Sequence, residues 1–123
     1  VRIALILLTL VLGAAAVYPL SYTGGSIDPI RIQTRVGDEN RYEFHKEIQQ
    51  AVDMDSLKQI LEGTSYRAAK IEWQHPPKYQ LNIQSEQYYV WYTNGYAEIY
   101  KPDTHLYSKL DLETSGKLGE LIQ

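Results

Sequence analysis

Tyr88-Tyr89-Val90-Trp91-Tyr92-Thr93-Asn94-Gly95-Tyr96-Ala97-Glu98-Ile99-Tyr100-Lys101 is the stretch whose reading decides the fold. Asn-Gly between two aromatic and β-branched runs specifies a two-residue type I′ turn, because both central residues of that turn need positive φ. The loop length then fixes the register. Thr93 faces Tyr96, Trp91 faces Glu98 and Tyr89 faces Tyr100 on one side of the hairpin. Tyr92 with Ala97, Val90 with Ile99, and Tyr88 with Lys101 fall on the other. Val90, Ala97 and Ile99 are the core-like set, which leaves Tyr89, Trp91, Tyr96 and Tyr100 on the opposite face. Contiguous exposed aromatics mark binding surfaces, so these four are the candidate ligand-facing residues. On that reading Trp91 is a water-accessible indole. Two competing readings are that the aromatics only pair across strands, or that the buried and open faces are exchanged.

The same alternation continues on both sides of the hairpin. Upstream, Tyr79, Leu81 and Ile83 alternate with Lys78, Gln80, Asn82 and Gln84, a half-buried strand. Before it stands His75-Pro76-Pro77, which no strand or helix runs through. Ala69, Ile71 and Trp73 alternate again, predicting a strand that buries Trp73. Met54, Leu57, Ile60 and Leu61 have helical spacing, with Asp53 as the expected N-cap and Gly63 as the expected stop. Further back, Ile30, Ile32 and Thr34 share one side of a strand over 27–35. A turn over 36–40 leads to a second strand, 41–48, with Tyr42, Phe44 and Ile48 on one face. Downstream of the hairpin, Pro102-Asp103-Thr104 turns the chain, Leu106 to Leu110 forms a strand, and Asp111 opens a last helix. Gly116 and Gly119 weaken that helix taken alone. The expected fold is an antiparallel α+β domain over 27–123: a β-meander sheet with two short helices on one face, preceded by an N-terminal hydrophobic helix.

From Ile3 to Leu20 no side chain is charged. A run of that length is read as a membrane segment, either a signal peptide cut near Ala16 or an uncleaved transmembrane anchor. Ala14-Ala15-Ala16 fits cleavage, while continued hydrophobicity through Leu20 and interfacial Tyr18 and Tyr22 fit an anchor. Arg2 before the run and Asp28 as the first charge after it place the domain on the extracytoplasmic side. Residues 21–26, Ser-Tyr-Thr-Gly-Gly-Ser, are a flexible linker by composition. The expected localisation is the cell membrane through residues 3–20, or secretion if the leader is removed.

The layout around these elements resembles the YhfM-like family. These are small membrane-anchored or lipoprotein extracytoplasmic proteins of Gram-positive bacteria. The resemblance rests on Asp53-x-Asp55-Ser56-Leu57-x-x-Ile60-Leu61, the Pro-Pro-Lys-Tyr79 lead-in, the hairpin around Trp91, and Leu106-Tyr107-Ser108-Lys109-Leu110. It spans roughly residues 27–122 and implies an outward-facing domain without a defined active site. The Cys of the lipoprotein members is missing here, so lipid anchoring does not carry over.

Composition excludes several chemistries. The chain holds 12 Lys and Arg against 15 Asp and Glu, a net charge of −3, with no basic stripe. Nucleic-acid binding, which depends on displacing phosphate counterions, is not expected. With no cysteine, disulfides, thiolate zinc sites and thiol nucleophiles are out. His45, His75 and His105 lie in separate predicted elements at no metal-ligand spacing, and no P-loop, Rossmann, GxSxG or HExxH motif occurs. No metal, cofactor or catalytic residue is assigned. Asp53 and Asp55 read as helix-terminal charges rather than a catalytic pair. The leading expectation is a non-enzymatic binding or regulatory domain that meets an envelope protein or glycan. The alternative, a small cell-envelope enzyme or enzyme inhibitor, would require polar groups converging in a pocket.

Overall fold

The Asn94-Gly95 hairpin forms in the register its turn dictates. Strands Glu86–Thr93 and Tyr96–Lys101 pair with Tyr89 opposite Tyr100, Val90 opposite Ile99 and Thr93 opposite Tyr96. Asn94 has φ 54° and Gly95 φ 84°, both in the left-handed region a type I′ turn uses. A Cβ on Gly95 would stand 3.2 Å from Leu112 Cδ1. Gly95→Val is therefore expected to cost at least about 1 kcal/mol, from a β-branched residue forced to positive φ and from that contact. Urea unfolding measures it, and an unchanged midpoint would contradict the turn geometry.

The structure is a computed structural model that describes residues 28–123. The run 3–20, the linker and the expected N-terminal helix lie outside the described residues. In chain order the elements are β1 (Ile30–Arg35), β2 (Tyr42–Ile48), α1 (Ala51–Gly63), β3 (Arg67–Ala68), β4 (Tyr79–Ile83), β5 (Glu86–Thr93), β6 (Tyr96–Lys101), β7 (Leu106–Lys109) and α2 (Leu112–Ile122). They build one seven-stranded antiparallel sheet in the order β2-β1-β4-β5-β6-β7-β3. The α+β class read from the sequence holds. Among the described residues no helix is long and apolar enough to cross a membrane.

The core lies on one face of the sheet. Ile30, Ile32, Leu81, Val90, Ala97 and Ile99 are fully buried there together with Leu57 of α1 and Leu118 and Ile122 of α2. Two small residues let α2 approach closely. Ser115 is fully buried; its Oγ accepts the Ala97 N–H at 2.8 Å, and its carbonyl accepts the Tyr92 hydroxyl at 3.1 Å. Gly119 is also buried, and a Cβ there would meet the Tyr92 hydroxyl at 3.4 Å. Asp111 caps α2 as expected, its Oδ1 accepting the Thr114 N–H at 2.7 Å.

Three local expectations are corrected. Asp53 does not cap α1, which starts at Ala51 with Gln50 at the cap position and Asp53 in its first turn. There the carboxylate still favours the positive end of the helix dipole. Tyr42 and Phe44 do not share a face with Ile48. A bulge opposite Ile32 and Gln33 skips His45, pairing Ile32 with Lys46 and Gln33 with Phe44. One extra residue reverses the alternation, so Phe44 is exposed and lies 5.4 Å from the Arg31 guanidinium.

The third correction matters most for the site. Residues 69–73 are not a strand, since β3 ends at Ala68. β3 pairs with β7 at the sheet edge, whereas β4 lies four strands away beside β1. That separation is about 19 Å at ~4.8 Å per strand. Residues 69–78 therefore cross the sheet as a strap, and they cross on the face opposite the helices. The meander proper is β4 to β7 alone.

Candidate functional site

The face under the strap is built from the second side chain of every strand pair. Gln33, Gln80, Tyr89, Tyr100, Tyr107 and Arg67 are opposed in turn across β1, β4, β5, β6, β7 and β3. The next row carries Trp91, Glu98 and Lys109. Three adjacent tyrosines, Tyr89, Tyr100 and Tyr107, run along the first row, and Trp91 stands beside Glu98 in the second.

Proline makes the crossing possible. Pro76 and Pro77 have no N–H to satisfy, so this backbone lies on apolar surface with only acceptors to place. Each acceptor finds a side-chain donor. The indole Nε1 of Trp91 donates to the His75 carbonyl at 3.1 Å, Arg35 Nη1 donates to Pro76 O at 3.1 Å, and the Tyr42 hydroxyl donates to Pro77 O. Backbone pairing resumes at Lys78, whose N–H bonds Val90 O and whose carbonyl accepts the Arg35 N–H, both at 3.0 Å. Burial, partly offset by the neighbouring Arg35 charge, pushes the Tyr42 hydroxyl above its ordinary range.

Trp73 projects from the strap onto β5. Its ring centre lies 5.3 Å from Tyr89 and 5.4 Å from Trp91, both in tilted or edge arrangements that aromatic rings favour. It remains 41% exposed, whereas Trp91 beneath it is 7% exposed. The two tryptophans thus exchange the roles expected from alternation. Of the four candidate aromatics, Tyr96 is exposed and Tyr89 half-buried, but Trp91 and Tyr100 are buried at 7% and 5%. Both differ from the exposed positions expected, because the strap covers Trp91, and Tyr100 is hemmed between Tyr89 and Tyr107, its hydroxyl 2.7 Å from His105 Nδ1. Of the two face assignments the sequence left open, the structure has Val90, Ala97 and Ile99 wholly in the core.

Between strap and sheet lies a recess of about 170 Å³ lined by Ile71, Trp73, Gln74, His75, Trp91, Thr93, Glu98 and Tyr107. Glu98 is half-buried, and its Oε1 accepts the Tyr107 hydroxyl at 2.6 Å. Burial, reinforced by that bond and the Glu98 charge, pushes the Tyr107 hydroxyl up to about 12. Arg67 lies 4.9 Å from the Tyr107 ring without lining the recess. Trp73, His75 and Tyr107 were not among the sequence candidates. The available signal was His75-Pro76-Pro77 itself, a donor-poor segment directly after a tryptophan.

A larger trough, about 840 Å³, runs between the helices past Ser56, Gln59, Thr64, Asp111 and Lys117. It is open, and its lining mixes both charge signs without a convergent set. His45, His75 and His105 stay apart, and among the described residues no three His, Asp or Glu side chains group as a metal site. No family model, no curated protein and no solved structure matches this chain.

Proposed function

We propose that this chain is a non-enzymatic binding or regulatory domain, displayed on the extracytoplasmic side of a membrane and held there through residues 3–20. One observation carries the binding reading. Trp73 is a large indole left 41% exposed although it is backed by Tyr89 and Trp91 and tethered through His75. Exposed aromatic surface on a rigid support is the usual form of a recognition hot spot, because little side-chain entropy is lost on contact. The uncharged run 3–20 and the resemblance to the YhfM-like family support the placement outside the membrane.

Two measurements test this. The full chain, expressed in a Gram-positive host, is expected to sediment with membranes and to be digested by protease added to intact protoplasts. Recovery in the cytosol, unprocessed and protected, overturns the placement. Envelope material is expected to shield Trp73 of the wild-type protein from iodide quenching, and Trp73→Ala to abolish retention on that material while changing stability by less than about 1 kcal/mol. Identical quenching of wild-type protein with and without envelope material overturns the binding face.

A further inference from the structure

We propose that the recess between the strap and β5–β7 takes an organic cation, a small alkylated ammonium group of the choline type. This assignment rests on the reading of the strap face as a binding face and names the chemistry of its ligand.

The argument begins with Glu98. It is half-buried, and across the sheet it is paired with Lys109, the partner that would ordinarily neutralise it. Lys109 does not do so. Its ammonium lies 5.0 Å from the Tyr96 ring, and among the described residues Glu98 takes part in no ion pair. What Glu98 has is the Tyr107 hydroxyl, one donor on one oxygen. A half-desolvated carboxylate therefore faces a recess whose lining contains no Lys or Arg.

The walls add to the same sign. Trp73 and Trp91 line the recess, and indole faces attract cations through the ring quadrupole more strongly than other aromatic side chains. Carboxylate and indoles together give a negative potential in a space partly shielded from water, where electrostatic attraction is less screened. An ammonium carrying methyl groups suits this better than a bare one, since it gives up less hydration and presents apolar surface to Ile71 and the rings. Size agrees. About 170 Å³ is the space of roughly five or six waters at ~30 Å³ each, room for a compact head group rather than an oligosaccharide.

The test uses the full chain in neutral detergent with tryptophan fluorescence as the readout. Choline is expected to change the emission saturably, and its uncharged isostere 3,3-dimethylbutanol to bind at least about tenfold more weakly. Glu98→Gln should weaken choline about tenfold with the melting temperature held. Should Glu98→Gln unfold the chain, the choline-to-isostere ratio on wild type decides alone. Equal binding of choline and the isostere overturns the assignment, because charge would then play no part. A saturable response to N-acetylglucosamine with none to choline also overturns it, yet leaves the strap face as a binding face. Silence to every probe overturns the cation site, while the envelope-protection experiment on Trp73 judges the face independently.

Discussion

Trp91→Ala is expected to destabilise the domain by about 3–5 kcal/mol, the range for removing a large buried aromatic. Three losses combine. The indole is 7% exposed, so the cavity cannot be filled by simple collapse of solvent-facing groups. Its Nε1 is the donor to His75 O, and without it that carbonyl loses its side-chain partner. Trp73 also loses one of the two rings it packs on. Urea unfolding followed by circular dichroism measures the change, and Trp73→Ala is the internal control because that side chain is 41% exposed against 7% for Trp91. Iodide should quench wild-type emission from Trp73 and spare Trp91. A loss below about 1 kcal/mol for Trp91→Ala would mean that the strap does not dock on the sheet.

How much of this was legible follows from the range of each signal. Hairpin register was readable because Asn94-Gly95 is a local instruction: two residues fix every pair from Thr93–Tyr96 back to Tyr89–Tyr100. The end of the sheet was not. Ala69, Ile71 and Trp73 alternate as a strand does, but a strand exists only if a neighbour supplies hydrogen bonds. The outer edge of β7 is used by Arg67 and Ala68 alone. Whether β3 continues or leaves to reach β4 is decided by the order of the strands, which no short window contains.

The β2 bulge failed for a related reason. A single skipped residue, His45, exchanges faces for Tyr42 and Phe44, and no residue type announces it. Asp53 was misplaced by position rather than by chemistry, since an acidic residue serves the cap and the first turn alike. The aromatic face was found from the hairpin, but its cover was not. Trp91 and Tyr100 look exposed in sequence because the segment that buries Trp91 comes from the preceding loop, and the pair Tyr100–Tyr107 closes from the following strand. A buried tryptophan and an exposed one therefore changed places, and the functional candidate moved from Trp91 to Trp73 with Glu98 beside it.

The tyrosines that give this sequence its character also set its tolerance to alkali. Burial raises the hydroxyl of Tyr88 well above its ordinary range, and the hydrogen bond it donates to Glu86 at 2.7 Å, with that carboxylate's charge, raises it further. Tyr66 is raised by burial and then by the Glu86 and Glu62 charges, and Tyr92 by burial and then by Tyr79. Tyr107 is held at about 12 by burial, the bond to Glu98 and that group's charge. In the unfolded chain each would release its proton near pH 10. Above that pH the folded state keeps more protons than the unfolded state, so stability falls as pH rises. The contribution is fully present below about pH 10 and is lost as pH climbs through the folded-state values. Tyr88 is 3% exposed, and a group held protonated this way costs up to ~1.4 kcal/mol per pH unit. The more accessible tyrosines add smaller amounts. Between about pH 10 and pH 12 the loss should reach roughly 3 kcal/mol or more, a large share of the ~5–15 kcal/mol typical of a domain. Urea midpoints across that range, with tyrosinate absorbance recorded in parallel, provide the measurement. Tyr88→Phe should cost about 1 kcal/mol at neutral pH through the lost hydrogen bond and make the alkaline slope shallower. Stability that stays level up to about pH 12, or four tyrosines titrating near 10 in the folded protein, would show that these hydroxyls are not buried where the fold places them.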